Sequence, residues 1–191
     1  LVPSDMRDPG MTSTVGVGEL IADALDKGMR TIIIGCGDSG TTDGGAGALT
    51  ALGVRILDEN GADIGLGGNS LHNAASIDTT NLHPRIHQAR LHLACNMHNV
   101  LTGDHGVAAV FGPQKGATPE DITLLDAALA QLCDICEVDP TTPGFGAAGG
   151  LPIGITWLST LMHGNHSHIH VLPGARMVAE SVGLPELMQS A

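Results

Sequence analysis

Two hydrophobic periods run through this chain, and the places where one gives way to the other mark its elements. Gly18 to Lys27 places Leu20, Ile21, Ala24 and Leu25 on one face at helical spacing, and Gly28 ends the segment. The continuous apolar run Thr31 to Ile34 predicts a buried strand. Ala46 to Leu52 predicts a short helix closed by Gly53, and Val54–Leu57 a second strand. Asp58-Glu-Asn60-Gly61 predicts a hairpin turn, because Asn-Gly favours the primed turn types. Asn69–Ala75 is expected as a short helix. Ala89 to Cys95 alternates as a strand, with Leu91 and Leu93 on one face. Thr118-Pro119-Glu120-Asp121 is the clearest helix start in the chain. Thr118 caps, Pro119 fits the first turn, and Asp121 supplies the acceptor of a capping box. Ile122, Leu125, Leu129, Leu132 and Cys136 then hold a helical stripe to Glu137. An apolar helix is expected around Ile153–Leu161. Pro173 opens another, with Ala175, Val178, Ala179 and Val182 buried and Gly183 closing it. Helices alternate with strands, so the fold class is α/β with a mixed sheet.

Between the first strand and the second helix lies the most informative stretch, Gly35-Cys-Gly-Asp38-Ser39-Gly40-Thr41-Thr42-Asp43-Gly44-Gly45-Ala-Gly47. Glycine permits positive φ and brings backbone N–H groups close to a ligand. A helix starting there adds free amides and the positive end of its dipole, which suits a phosphate or carboxylate. The simpler alternative is a strand-to-helix turn capped by Asp43. The spacing is neither GxGxxG nor GxxxxGK[ST], so the motif alone names no nucleotide. Gly144 to Gly150 forms a second glycine-rich loop.

Composition narrows the partners. A chain of 191 residues is one domain, or one plus a small lobe, and large enough for its own core. With one Trp, two Phe and no Tyr, aliphatic residues must fill that core. The formal net charge of −12 argues against nucleic acid and anionic membrane surfaces as partners. Any phosphate ligand then needs a metal ion or backbone dipoles to offset repulsion. No segment approaches transmembrane length, and the N-terminus lacks a signal-peptide pattern. Leu1 to Pro9 has the character of a segment entered midway. Cys36, Cys95, Cys133 and Cys136 make no disulfide framework at this length, so a reducing cytoplasm is the expected location.

Five blocks occur in order along the chain. They are Gly16-Val-Gly18-Glu19-Leu20-Ile21, the Gly37–Gly47 loop, Cys95-Asn96-Met97-His98-Asn99-Val100-Leu101-Thr102-Gly103, Val110-Phe111-Gly112-Pro113-Gln114-Lys115-Gly116-Ala117 and Gly144–Gly150. As a set they resemble the glycerate kinase family of the glycerate 2-kinase type. The resemblance implies phosphoryl transfer from ATP to glycerate, a small anionic substrate, with magnesium, in a cleft between two α/β domains. Residues 1–191 would be one such domain, the smaller inserted one, from the central portion of a longer family chain. By the same resemblance Asp43, Lys115 and Ser39 are candidate catalytic residues. Asp38, Gly40, Thr41, Thr42, Gly44, Gly45, Asn96, His98, Asn99 and Gln114 are candidate substrate contacts. Lys115 would be the cationic contact and Gln114 a donor. Asp38 or Asp43 would hold magnesium, or Asp43 would accept the substrate hydroxyl proton. The chain departs from the family where many members have Gly-Ser-Ala-Thr-Asn-Asp-Gly-Gly, and where an aspartate stands at the place of Asn96.

Three alternatives stand beside this reading. His166, His168 and His170 alternate, which in an extended segment would suit zinc, nickel or copper. Gly37-Asp38-Ser39-Gly40 would serve a small esterase or lactonase with Ser39 as nucleophile, or a His-bound metal in its place. An inactive anion-binding domain, working as a homodimer, is the third. Cys133-Asp-Ile-Cys136 has CxxC spacing but lies within the expected helix, where core packing accounts for it.

Overall fold

The computed structural model describes residues 2–95, 98–164, 169–170 and 174–183. After a short 3-10 turn at Ser4–Met6 the chain runs α1 (Val15–Asp26), β1 (Thr31–Cys36), α2 (Ala46–Ala51) and β2 (Arg55–Leu57). It continues through β3 (Ser76–Asp78), β4 (Arg90–Cys95), α3 (Val107–Phe111), α4 (Pro119–Cys136), α5 (Leu151–His163), β5 (Ile169–His170) and α6 (Gly174–Ser181). Further 3-10 turns occupy Gly68–Asn73, Ile86–Gln88, Pro113–Lys115 and Ala147–Gly150.

The expected mixed sheet resolves into two separate sheets. β1, β4 and β5 lie in that order as a parallel sheet, while β2 and β3 form an antiparallel ribbon. β1 pairs with β4 from Thr31 opposite Arg90 to Cys36 opposite Cys95. The Asn60-Gly61 turn forms, with Gly61 N–H donating to the Asp58 carbonyl and Asp58 N–H to that of Ala62. The ladder partner of β2 is nevertheless β3, from the 3-10 segment expected as a helix onward.

Two buried clusters share α5. One packs Ile21, Leu25, Ile34, Leu49, Leu91, Leu93 and Leu158 between the parallel sheet and helices α1, α2 and α5. The other packs Leu71, Leu101, Leu129, Leu132, Phe145 and Ile153 around α4. Trp157 of α5 touches both. A helix serving two cores must be apolar around most of its circumference, which is why the polar residues of Leu151–Leu161 are confined to one narrow stripe of small hydroxyls, Thr156, Ser159 and Thr160.

Three burial expectations change. β1 alternates instead of being buried throughout, and Ile33 is 40% exposed, because β1 is an edge strand with one face covered. On α1 the buried stripe is Gly18, Ile21 and Leu25, and Leu20 is 73% exposed. Gly18 faces Ala48 and Ala51 of α2, so the two helices approach along their small residues. Val182 lies past the end of α6 and is 65% exposed. The side chains of Ala175 and Val178, and Pro173, fall outside the described residues.

At α4 the expected start is present. Thr118 Oγ1 accepts the Asp121 N–H at 3.2 Å, and the Asp121 carboxylate accepts the Thr118 N–H at 2.9 Å. The Thr118 N–H and the Thr118 hydroxyl, which both donate to it, hold the Asp121 carboxyl below its ordinary range. At the other end Glu137 takes a left-handed conformation and stops the helix. Cys133 and Cys136 are buried free thiols, each pushed up to about 12, chiefly by burial. Core packing is their role.

Candidate active site

β1 ends at Cys36, at the carboxyl edge of the parallel sheet, where open α/β sheets bind their ligands. A cleft of about 720 Å³ opens there. One wall is Cys36–Gly40, and Gln114, Lys115 and Phe111 form another. Arg7 and Val2 close it from the N-terminal segment, and Ala148 and Gly149 from the second glycine loop. Two glycine loops and the Pro113–Lys115 turn, remote in sequence, therefore meet at one hollow.

The first glycine loop divides into two arms. In the arm from Gly37 to Thr41, the amides of Asp38, Ser39, Gly40 and Thr41 find no acceptor among the described residues. Asp38 holds a positive φ of 50°, an uncommon conformation that turns the chain across the cleft mouth. Ser39 and Gly40 are partly exposed and line the cleft. Gly37 to Gly40 of this arm border the hollow, and Thr41, expected as a substrate contact, does not line it.

The second arm, Thr42 to Gly47, is buried. Its helix-start amides, expected to be free, are already used. Gly44 N–H donates to the Gly149 carbonyl at 3.0 Å, and the N–H groups of Gly45 and Gly47 donate to the Asp43 carboxylate, each at 3.2 Å. Asp43 also receives the Thr14 N–H at 2.7 Å, the Thr14 hydroxyl at 2.9 Å and the Ser13 hydroxyl at 3.3 Å. Thr14 Oγ1 in turn accepts the Ala48 N–H at 3.0 Å. The positive end of α2 thus faces the protein's own carboxylate. Asp43 was expected to act on substrate or hold magnesium; it is fully buried, does not line the cleft, and serves as the cap of this turn. Thr42, Gly44 and Gly45 likewise lie behind the cleft wall, not on it.

Lys115 is 5% exposed. Its Nζ donates to the Thr41 carbonyl at 2.6 Å and lies 3.5 Å from Thr42 Oγ1. Burial pulls its pKa from 10.5 down to about 8, against the opposing pull of Asp43 nearby. The lysine therefore grips the hinge between the two arms. Gln114 is exposed at the cleft, and its carbonyl accepts the Arg7 guanidinium at 3.1 Å. Arg7 is the charged cleft residue that sequence reasoning missed, and Val2, Phe111, Ala148 and Gly149 are uncharged ones. The available signal for Arg7 was scarcity, since the chain has only eight Lys and Arg.

Gly149 joins the loops. It holds φ at 70°, and a Cβ there would collide with the Thr41 carbonyl. Among the described residues of the Cys95–Gly103 block, the expected contacts His98 and Asn99 do not line the cleft. His98 is exposed elsewhere, and Asn99 spends its carbonyl on the N–H groups of Gly144 and Gly146, at 3.2 and 2.9 Å. Asn96, His166 and His168 lie outside the described residues, as does the side chain of His170.

Among the described residues no cluster of three or more His, Cys, Asp or Glu could hold a metal. The cleft offers the single exposed carboxylate of Asp38. A magnesium ion bound through ATP phosphates needs one or two protein carboxylates, so Asp38 fits as one ligand and these residues make no site by themselves. No histidine lines the cleft, the Lys115 ammonium is bonded to Thr41 and Thr42, and the Ser39 hydroxyl has no hydrogen-bond partner among the described residues, so no base engages it there. A second hollow of about 930 Å³ surrounds Trp157, but it is lined by Glu137 and Asp139 and by no cation, which disfavours an anion.

The family model described as the glycerate kinase family matches residues 1–191. This chain belongs to the glycerate kinase family. Glycerate kinase of Halalkalibacterium halodurans is 44% identical over 100% of this chain and 50% of its own length. Glycerate 2-kinase of Escherichia coli K12 is 46% identical over 79% of this chain and 41% of its own length. A crystal structure of a candidate glycerate kinase 2 from Salmonella typhimurium LT2 superposes with a TM-score of 0.83 at 42% identity, covering 96% of this chain and 48% of that one. The chain spans about half the length of the family relatives it matches, and its α/β fold is the one they share. No helix among the described residues is long and apolar enough to cross a membrane.

Proposed function

We propose that this chain supplies the oxyanion-binding wall of a glycerate kinase, an enzyme that phosphorylates glycerate from ATP. Residues 1–191 act as one glycerate-kinase-like domain, the smaller of the two that frame the family's cleft, in the cytoplasm. The observation that carries this reading is the convergence of the Asp38–Gly40 segment, whose amides have no acceptor among the described residues, with two cations, Arg7 and Lys115, in one cleft of a strongly acidic chain. Phosphoryl transfer is largely positioning and charge neutralisation, so a wall of N–H groups suits it. In this reading the amides and the Ser39 hydroxyl orient a carboxylate or phosphate, Gln114 adds a donor, and Lys115 keeps the loop in shape. Magnesium, when bound with ATP, would neutralise phosphate charge, and in this reading Asp38, the carboxylate that lines the cleft, would be one of its ligands.

The experiment is ADP release from ATP by the encoded polypeptide, with and without glycerate. Release that depends on glycerate supports the reading. Turnover of activated esters without ATP, or ADP release indifferent to glycerate, would overturn it in favour of a hydrolase or an unrelated ATPase.

A further inference from the structure

We propose that Arg7, not Lys115, pairs directly with the oxyanion group of the ligand in this cleft, an inference that rests on the proposed function above. Among the eight Lys and Arg only these two line the hollow. Their situations are opposite. The Lys115 ammonium is buried and committed to the Thr41 carbonyl and Thr42 hydroxyl. The Arg7 side chain is exposed, and its one hydrogen bond among the described residues runs from Nη1 to the Gln114 main-chain carbonyl. That contact fixes the guanidinium against the cleft wall and leaves Nε and Nη2 without acceptors among the described residues.

The backbone shows that this seat is built. Gly116, which follows Lys115, has a φ of 95°, and a Cβ there would press within 2.7 Å of the Arg7 carbonyl. The turn that buries Lys115 therefore also receives Arg7. Val2 packs near Gly40, and Thr12 Oγ1 donates to the Gly40 carbonyl at 2.7 Å, so the N-terminal segment is tied to the open arm on both sides of Arg7. The remaining donors of a planar guanidinium thus share a hollow with Asp38, Ser39 and Gly40, whose amides have no acceptor among the described residues. A fork of N–H groups sharing a cleft with a row of amides fits a planar carboxylate or a phosphate, and lysine's point charge would not provide the two-pronged contact. The shared chemistry is an oxyanion, whose source is either the hydroxy acid's carboxylate or a nucleotide phosphate.

Amide chemical shifts of the chain are followed while D-glycerate, inorganic phosphate or ATP is titrated, for wild type, Arg7→Gln and Arg7→Lys. Wild type is expected to shift at Ser39, Gly40 and Thr41. Arg7→Gln is expected to weaken the responding ligand about tenfold or more and to flatten its salt dependence, with an unchanged thermal midpoint. Arg7→Lys restores the salt dependence and only part of the affinity. A response to glycerate and phosphate alike assigns the carboxylate source as well as the phosphate; a response to ATP and phosphate alone assigns the nucleotide. A wild-type response that survives Arg7→Gln within twofold overturns this inference and leaves the cleft reading standing. A wild type indifferent to all three ligands overturns both.

Discussion

The two arms of the loop after β1 have nearly the same composition and opposite fates. Gly37–Thr41 and Thr42–Gly47 are both rich in glycine, hydroxyls and aspartate. The first borders a cleft, and its amides from Asp38 onward have no acceptor among the described residues; in the second, every helix-start amide is answered from within, by Asp43, by Gly149 or by Thr14. A glycine-rich stretch is thus not one device. In the open arm it exposes backbone to a ligand, and in the closed arm it lets backbone pack on backbone. The division falls between Thr41 and Thr42, at the residues that Lys115 holds.

The sharpest way to break this division is to remove the closed arm's anchor. Asp43→Ala leaves the amides of Thr14, Gly45 and Gly47 buried without an acceptor, and is expected to cost about 4 kcal/mol in urea unfolding. Asp43→Asn keeps the shape and one acceptor oxygen, so its loss should be about half as large. A loss below about 1 kcal/mol for the alanine variant would show that the arm is held by packing and not by its carboxylate.

Lys115 comes next, and its effect depends on pH. The lysine titrates near 8 when folded and near its ordinary 10.5 when unfolded. Below pH 8 it is protonated in both states, so the cost of burying the charge is present in full. Between 8 and 10.5 the unfolded chain binds a proton that the folded chain has released, and the folded state gains stability as pH rises. Relative to Lys115→Met, wild type should therefore gain about 3 kcal/mol from pH 7.5 to pH 11. Equal pH profiles for the two proteins would place the ammonium in water and dissolve the hinge.

Gly149→Ala tests the join between the two loops. The new methyl meets the Thr41 carbonyl and the backbone keeps a left-handed conformation, so a loss of about 2 kcal/mol is expected. The same change should disturb amide shifts in both arms, since Gly149 accepts the Gly44 N–H and abuts Thr41.

How much of this was legible beforehand follows from range along the chain. The capping box of α4, the alternation of β4 and the helix stop at Gly53 depend on neighbours within a few residues, and the sequence displays those directly. The position of the glycine loop was equally plain. Its division was not, because the closed arm is made by Thr14, Lys115 and Gly149, which come from three distant segments. Lys115 could be picked out as a scarce cation, but only its burial shows that it holds protein and not ligand. Arg7 had no periodic or motif context, and nothing local distinguishes an exposed loop arginine from a seated one. On α1 the helix was readable, as was the burial of Ile21 and Leu25, but the exposure of Leu20 was not, because the small residues of α2 draw the Gly18 side inward.

The smallest effect is expected at Ser39, and that is what makes it informative. Its hydroxyl has no hydrogen-bond partner among the described residues, and the side chain borders open cleft. Ser39→Ala removes nothing the fold depends on, so stability should stay within about 0.5 kcal/mol. If the open arm works through its backbone, losing one hydroxyl donor should weaken oxyanion binding by about 1 kcal/mol, a few-fold in affinity. A serine nucleophile behaves differently: the same substitution would remove the reacting atom and abolish turnover outright. One conservative change thus separates two uses of the same residue. Binding reduced a few-fold at constant stability identifies an arm that acts through its amides, whereas ester cleavage in the wild type that vanishes in the variant would mean that its side chain is the reactive group.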